Sequence, residues 1–273
     1  MAKRVRIGMG ILLIALLGIS LYHVFHQKQP LYQGQPLSFW LDKYPAGFSP
    51  VALGGDEMID FLHNEKPTID AAIRGIGPKA VPTLMRMLRA KDSRVWIAVV
   101  DFIQKHLRLK VKYIPAESRH FRAGLALQAL GPGAKHAVPE LIEIYNRNIS
   151  DSSFFGAAQA LAAIGPAAEN AIPSVMRTLT NSDVGLRSIA ISTLGGIHCQ
   201  PELVVPALEP FLTDTNLLVR LNAVMALEQF GTNAQKATST MAELADHPYP
   251  IGPAAARALS KIGPKAGAKA GVE

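Results

Sequence analysis

Few residues in this chain have types and spacings that suggest chemistry. His198-Cys199 is an adjacent thiol–imidazole pair, the combination that makes a nucleophile when the imidazole takes the thiol proton. Neighbours in sequence seldom reach that geometry, and no third residue is placed to orient the histidine, so the pair reads as part of a loop following Gly195-Gly196. His106, His120 and His136 flank one segment, but without the spacing that puts two ligands on one helix face, so no metal site is expected. His-Glu-x-x-His, Gly-x-Ser-x-Gly and P-loop patterns are absent. Gly8 and Gly10 lie in an apolar run and cradle no phosphate. Asn148-Ile149-Ser150 fits a glycosylation sequon, relevant only in a eukaryotic secretory route. The lone cysteine excludes an intramolecular disulfide. No catalytic residue and no cofactor is expected.

Charge offers a second kind of chemistry. The formal net charge is +7, and it is concentrated. Residues 1–28 contribute +4 and residues 86–122 contribute +7, while residues 29–85 and 123–273 contribute −2 each. Arg94, Lys105, Arg108, Lys110 and Lys112 form the candidate binding patch, suited to an acidic protein, an acidic glycan or anionic lipid headgroups. The competing reading is a solvated helix face whose terminal cations stabilise the helix dipole. Tyr113 is the one aromatic among the strand-like residues 109–114, so base stacking and a nucleic-acid partner are disfavoured.

The elements that must position these residues are read from Gly and Pro. Ile164-Gly165-Pro166 followed by Ile172-Pro173 reads as a helix end and a new helix start. Glycine takes the left-handed conformation that ends helices, and proline is tolerated in a first turn, where its missing N–H would be unpaired anyway. The pattern recurs at Gly77-Pro78, Gly131-Pro132, Gly195, Gly231 and Gly263-Pro264. The glycine steps are 54, 34, 30, 36 and 32 residues, indicating a repeated two-helix unit with an insertion in the long first step. First helices are expected over 81–89, 138–145, 172–179, 204–212 and 239–245. Second helices are expected over 119–130, 153–164, 186–194, 218–230 and 253–262. The insertion, at about 91–117, holds an extra helix over 94–109 with Val95, Val99, Phe102, Ile103 and Leu107 on its inner face.

Toward the N-terminus, a helix over 69–76 capped by Thr68 follows a short helix over 56–63. Leu37, Trp40, Leu41 and Tyr44 form an amphipathic stripe that covers the exposed end of the stack, and residues 27–35 read as a polar tether. Lys3, Arg4 and Arg6 precede an uncharged, largely apolar run ending at Phe25. As a helix that run spans about 30 Å, a bilayer core. The flanking cations place the N-terminus in the cytoplasm and the remainder outside it, in the periplasm of a bacterium. Gly18-Ile19-Ser20 offers small residues around a possible signal-peptide cut, but no Ala-x-Ala-like site is present and the apolar run continues through Tyr22, Val24 and Phe25, so an uncleaved anchor is favoured.

The repeated unit resembles the HEAT family in its short bacterial form, similar to phycobilin-lyase-type HEAT proteins. The resemblance spans about residues 68–265. It rests on Ala-Val-Pro-x-Leu-like first helices, Asp-x-x-Val-Arg-like turns and Ala-rich second helices ending Leu-x-x-Ile-Gly-Pro. It implies an all-α superhelix in which Asp183, Arg187, Asp214 and Arg220 tie successive units together. It also implies a non-catalytic scaffold for a protein partner, with no small-molecule substrate; a lyase-like accessory role is the alternative. The expected organisation is an anchor at 1–26, tether and cap at 27–67, the array at 68–265 and a flexible tail at 266–273.

Overall fold

The computed structural model describes residues 29–45, 60–106 and 113–263. The expected anchor, the tail and the basic residues Arg108, Lys110 and Lys112 lie outside the described residues. Among the described residues no helix is long and apolar enough to cross a membrane.

The chain enters as a hairpin where a tether was expected. Leu31–Tyr32 (β1) pairs antiparallel with Gln35–Pro36 (β2). The two-residue link Gln33-Gly34 has positive φ at both positions, the geometry whose twist matches a two-stranded hairpin. The Leu37–Leu41 helix (α1) follows, and Leu37, Trp40, Leu41 and Tyr44 are all buried. The Tyr44 hydroxyl donates to Asp70 Oδ1 at 2.6 Å, and Lys66 holds the other Asp70 oxygen at 2.6 Å. Burial, then the Asp70 contact, push the Tyr44 phenol far above its ordinary range.

Asp70 belongs to the Lys66–Ile76 helix (α2), which runs on directly from a wide turn at Phe61–Glu65. The expected helix start at Thr68 is therefore corrected. Thr68 lies inside a continuous helix, and its hydroxyl donates back to the Asn64 carbonyl instead of capping.

Two layers of helices follow. The first layer comprises Val81–Leu88 (α3), Val138–Arg147 (α6), Ile172–Thr178 (α8), Pro201–Leu208 (α10) and Thr238–Ala245 (α12). The second comprises Ala116–Leu130 (α5), Asp151–Ile164 (α7), Val184–Ile197 (α9), Leu217–Gln229 (α11) and Ile251–Ile262 (α13), while Arg94–His106 (α4) is the inserted helix. Each second helix packs on the next, from α2 through α5, α7, α9 and α11 to α13. One pair cannot bury its own apolar stripe, so one core runs the length of the stack.

Small residues set the spacing of the second layer. A β-carbon on Gly124 would lie 2.9 Å from Gly156 Cα, so α5 and α7 approach nearly backbone to backbone. The corners between units are short 3-10 turns such as Gly131–Ala137 and Gly165–Ala171, in which Ala134, Ala137, Ala168 and Ala171 are buried against the stack.

Two corner assignments need correction. Gly77, Gly131, Gly165 and Gly231 have φ of 67°, 51°, 71° and 52°, but Gly195 does not share this conformation. It lies inside α9 against Ala226, and the turn is made by His198 at φ 39° with Gln200 at φ 51°. With the corner at 198, the steps after the insertion become 34, 33 and 33. Gly263 has φ −173°, extended backbone open to any residue, so it is no left-handed corner.

The expected start at Val204 is also displaced. Pro201 opens α10 and Pro206 sits inside it, and the helix gives way to a 3-10 turn at Glu209–Thr213. In α4, Val100 is the residue fully turned inward. Val95 and Phe102, expected on the inner face, are 74% and 57% exposed.

Candidate functional site

The turns between first and second helices use a recurring device. Asp183 caps α9, its Oδ1 accepting from Leu186 N at 2.9 Å. Arg187, one turn into α9, donates from Nη1 to the carbonyls of Asn181 and Ser182, six and five residues back. Arg220 repeats this one unit later, donating to the carbonyls of Asp214 and Thr215. Arg187 Nη2 also lies 3.9 Å from Asp214 Oδ2 in the following turn. These residues spend their donors on otherwise unpaired backbone oxygens and leave no reactive group facing solvent.

The preceding turn has Phe154 where an arginine would stand, and a different group fills in. His120, 3% exposed, bonds through Nε2 to the Ala90 carbonyl at 2.8 Å and through Nδ1 to Ser152 Oγ at 2.9 Å. A carbonyl only accepts, so Nε2 carries the proton and Nδ1 receives the hydroxyl. Burial holds the His120 imidazole below its ordinary range and therefore neutral. The Ser–His contact resembles half of a catalytic set, but a backbone carbonyl occupies the place of the orienting carboxylate and the ring is sealed from solvent. Sequence reasoning missed this knot because its members are about thirty residues apart.

His198 and Cys199 do not form a nucleophile. His198 Nδ1 bonds the Gly196 carbonyl at 2.7 Å, and the thiol faces the Pro166 carbonyl at 3.8 Å. Burial and then Glu169 raise the Cys199 thiol, the opposite of activation. Among the described residues no group of three His, Cys, Asp or Glu is placed to hold a metal ion.

Of the basic patch, Arg94 and Lys105 are described, and both are exposed on α4. Eleven residues of helix put them about 16 Å apart along the axis, on nearly the same side.

The surface with the clearest pattern lies on the second layer. Beyond the first four residues of α5, α7, α9 and α11, no exposed or half-exposed position is charged. The positions are filled by side chains such as Phe121 and Leu125, Phe155 and Gln159, Ile189 and Ser192, and Asn222 and Met225. Four helices at ordinary spacing make a strip about 25 Å wide. Charge resumes at the next helix, where Arg257 and Lys261 bind the buried Glu228 carboxylate at 3.0 and 2.6 Å. Burial works to raise the Glu228 carboxyl, and these two cations outweigh it and hold the group below its ordinary range.

Residues 172–260 match the family model for HEAT repeats. That stretch is similar to HEAT repeats. It contains α8 to α12 and most of α13, so both the Asp183–Arg187 and the Asp214–Arg220 turns fall within the HEAT match. No curated protein matches the sequence. Among solved structures, an engineered protein is similar at 20% identity and TM-score 0.41, over 76% of this chain and 94% of its own. A designed armadillo repeat protein in complex with the peptide (KR)4 is similar at 13% identity and TM-score 0.42, over 84% and 100%. At those scores neither likeness bears on what this chain does.

Among the described residues, concavities lie between these elements. One of about 180 Å³ sits between the N-terminal cap and the first units, lined by the apolar Leu41, Met87 and Ile114 and the charged Asp42, Arg119 and Arg122 among others. Two open clefts, of about 410 and 380 Å³, lie between neighbouring units on the turn edge, at Arg177–Asn181 and at Asp214–His247. Their walls combine turn residues with side chains of the adjoining helices.

Proposed function

We propose that this protein is a non-catalytic scaffold that holds a protein partner on the uncharged strip of its second helix layer. HEAT repeats are typically protein-interaction scaffolds, which agrees with this reading. The observation that carries it is that, beyond the first turn of four successive helices, no exposed or half-exposed position is charged, in a chain of net charge +7. Apolar side chains at Phe155, Ile189 and Met225 suit an apolar segment of a partner, and Gln159, Ser192 and Asn222 offer it polar anchors. The apolar run ending at Phe25, with its cationic flank, supports anchoring of the array to a membrane, with the array on the extracytoplasmic side.

The test is charge insertion. Affinity capture with the full chain is compared with Ser192→Glu and Met225→Glu, both at exposed positions that leave the core untouched. The reading predicts loss of the same captured protein in both variants with unchanged thermal stability. Capture indifferent to both substitutions contradicts it.

A second reading has its own observation. Exposed Val95 and Phe102 beside Arg94 and Lys105 give α4 the mixed apolar and cationic surface that settles on anionic bilayers. Reversing the charge of Lys105, Arg108, Lys110 and Lys112 removes that surface. Unchanged liposome binding would eliminate it.

A further inference from the structure

The larger of the two turn-edge clefts, about 410 Å³, holds a cation with no carboxylate beside it. Arg177, in the last turn of α8, is exposed and lines this cleft. Its Nη2 donates to two neutral acceptors, Asn146 Oδ1 at 3.4 Å and Ser174 Oγ at 3.2 Å. Among the described residues it has no acidic partner, whereas Arg147 and Arg257 lie on carboxylates and Arg187 and Arg220 on turn carbonyls.

The hydrogen-bonding groups of the cleft are one-sided. Asn146 Nδ2 also donates to Ser174 Oγ, so both lone pairs of that hydroxyl are filled. Asn181 Oδ1 accepts from Asp183 N at 2.8 Å, which leaves the Asn181 Nδ2 hydrogens as donors. Each of these oxygens already holds a donor, while Arg177 keeps Nε and Nη1 for a ligand. No carboxylate lines the cleft among the described residues. Asp183, the nearest acid in sequence to Arg177, caps α9 through its Oδ1. A surplus of donors around a fixed positive charge matches a group that only accepts, an ionised carboxylate. Leu186, in the wall of the cleft, stands about one turn before Ile189 of the uncharged strip, so cleft and strip adjoin.

We infer that this cleft takes an Asp or Glu side chain of the protein segment held on the strip, with Arg177 pairing with the carboxylate and Asn181 donating to it. The inference rests on the scaffold reading for the ligand's being a protein segment. It adds what that segment must carry: one acid flanked by apolar residues.

The test is fluorescence anisotropy of the full chain in nanodiscs, with empty nanodiscs as the blank. The probes are the labelled, end-blocked peptide Ser-Leu-Ala-Glu-Leu-Ala-Ser and its counterpart with Gln in place of Glu. The Glu peptide should bind at least tenfold tighter. Arg177→Gln should abolish that preference. Asn181→Asp keeps the acceptor for Asp183 N but puts a carboxylate in the cleft, and should reverse the preference. Lys105→Gln removes one charge elsewhere and should leave it unchanged. Both cleft positions are exposed, so melting temperatures should not move. Equal binding of the two peptides, no saturable binding, or a preference that survives Arg177→Gln overturns the inference. The strip fails separately: Ser192→Glu should weaken both peptides together, whereas Arg177→Gln weakens only the acidic one.

Discussion

Gly195 and Ala226 mark the closest approach between α9 and α11: a β-carbon on Gly195 would lie 2.6 Å from Ala226 Cα. Two second-layer helices thus meet with no side chain between them on one side. The stack's spacing at this step is set by a missing methyl group, in the middle of the strip proposed to hold a partner.

Gly195→Ala therefore has two opposing effects. Alanine gains about 0.5–1 kcal/mol over glycine inside a helix. Overpacking against an immovable backbone costs about 1–3 kcal/mol. The second wins, because the atom in the way is a Cα rather than a pliable side-chain end. Thermal unfolding by circular dichroism should show a net loss of about 1–2 kcal/mol. Stabilisation would mean that the helices are further apart than described.

His120 makes stability depend on pH. Its folded-state pKa is lowered, first by burial, so the folded chain prefers the neutral ring. The contribution is fully present above the unfolded value of about 6.5 and is lost as pH falls below it toward the folded value. The neighbouring charges Arg119, Asp92 and Glu117 pull in both directions and leave the lowering in place. The melting temperature should fall more between pH 7.5 and 5 in the wild type than in His120→Gln, which retains a donor for the Ala90 carbonyl. Parallel pH profiles would remove His120 from the account.

Glu228 predicts an asymmetry. Its side chain is 4% exposed, whereas Arg257 and Lys261 are 56% and 57% exposed. Removing both cations strands a buried carboxylate, while removing the carboxylate frees two cations already in water. Arg257→Ala with Lys261→Ala should cost about 2 kcal/mol, below the 3–5 typical of fully enclosed pairs because both cations are open to solvent. Glu228→Gln should cost less. The reverse order by denaturant unfolding would contradict the burial assigned to Glu228.

The repeat was legible because Gly77, Gly131, Gly165 and Gly231 occur where the backbone turns left-handed, a demand that leaves its mark on residue type. Gly195 carries the same letter for a different reason, close packing, and the true corner falls on His198, which lacks glycine's freedom but is of a type enriched among the few side chains at positive φ. The uneven steps of 30 and 36 were the available signal, since moving one corner by three residues makes both regular. The hairpin at Leu31–Pro36 escaped notice because two residues per strand carry no alternation. The uncharged strip and the cap cavity were illegible for a further reason. Each joins residues from several helices, and only the stacking shows that Gln159, Ser192 and Met225 share a surface.

The most direct measurement of the central claim is site-specific photo-crosslinking in living cells. A photoreactive residue is placed singly at Gln159, Ser192 and Met225, and at Glu202 on α10 in the first layer as a control. The account predicts one adduct, common to the three strip positions and absent at Glu202. Equal adducts at Glu202, or none at any strip position, would contradict it.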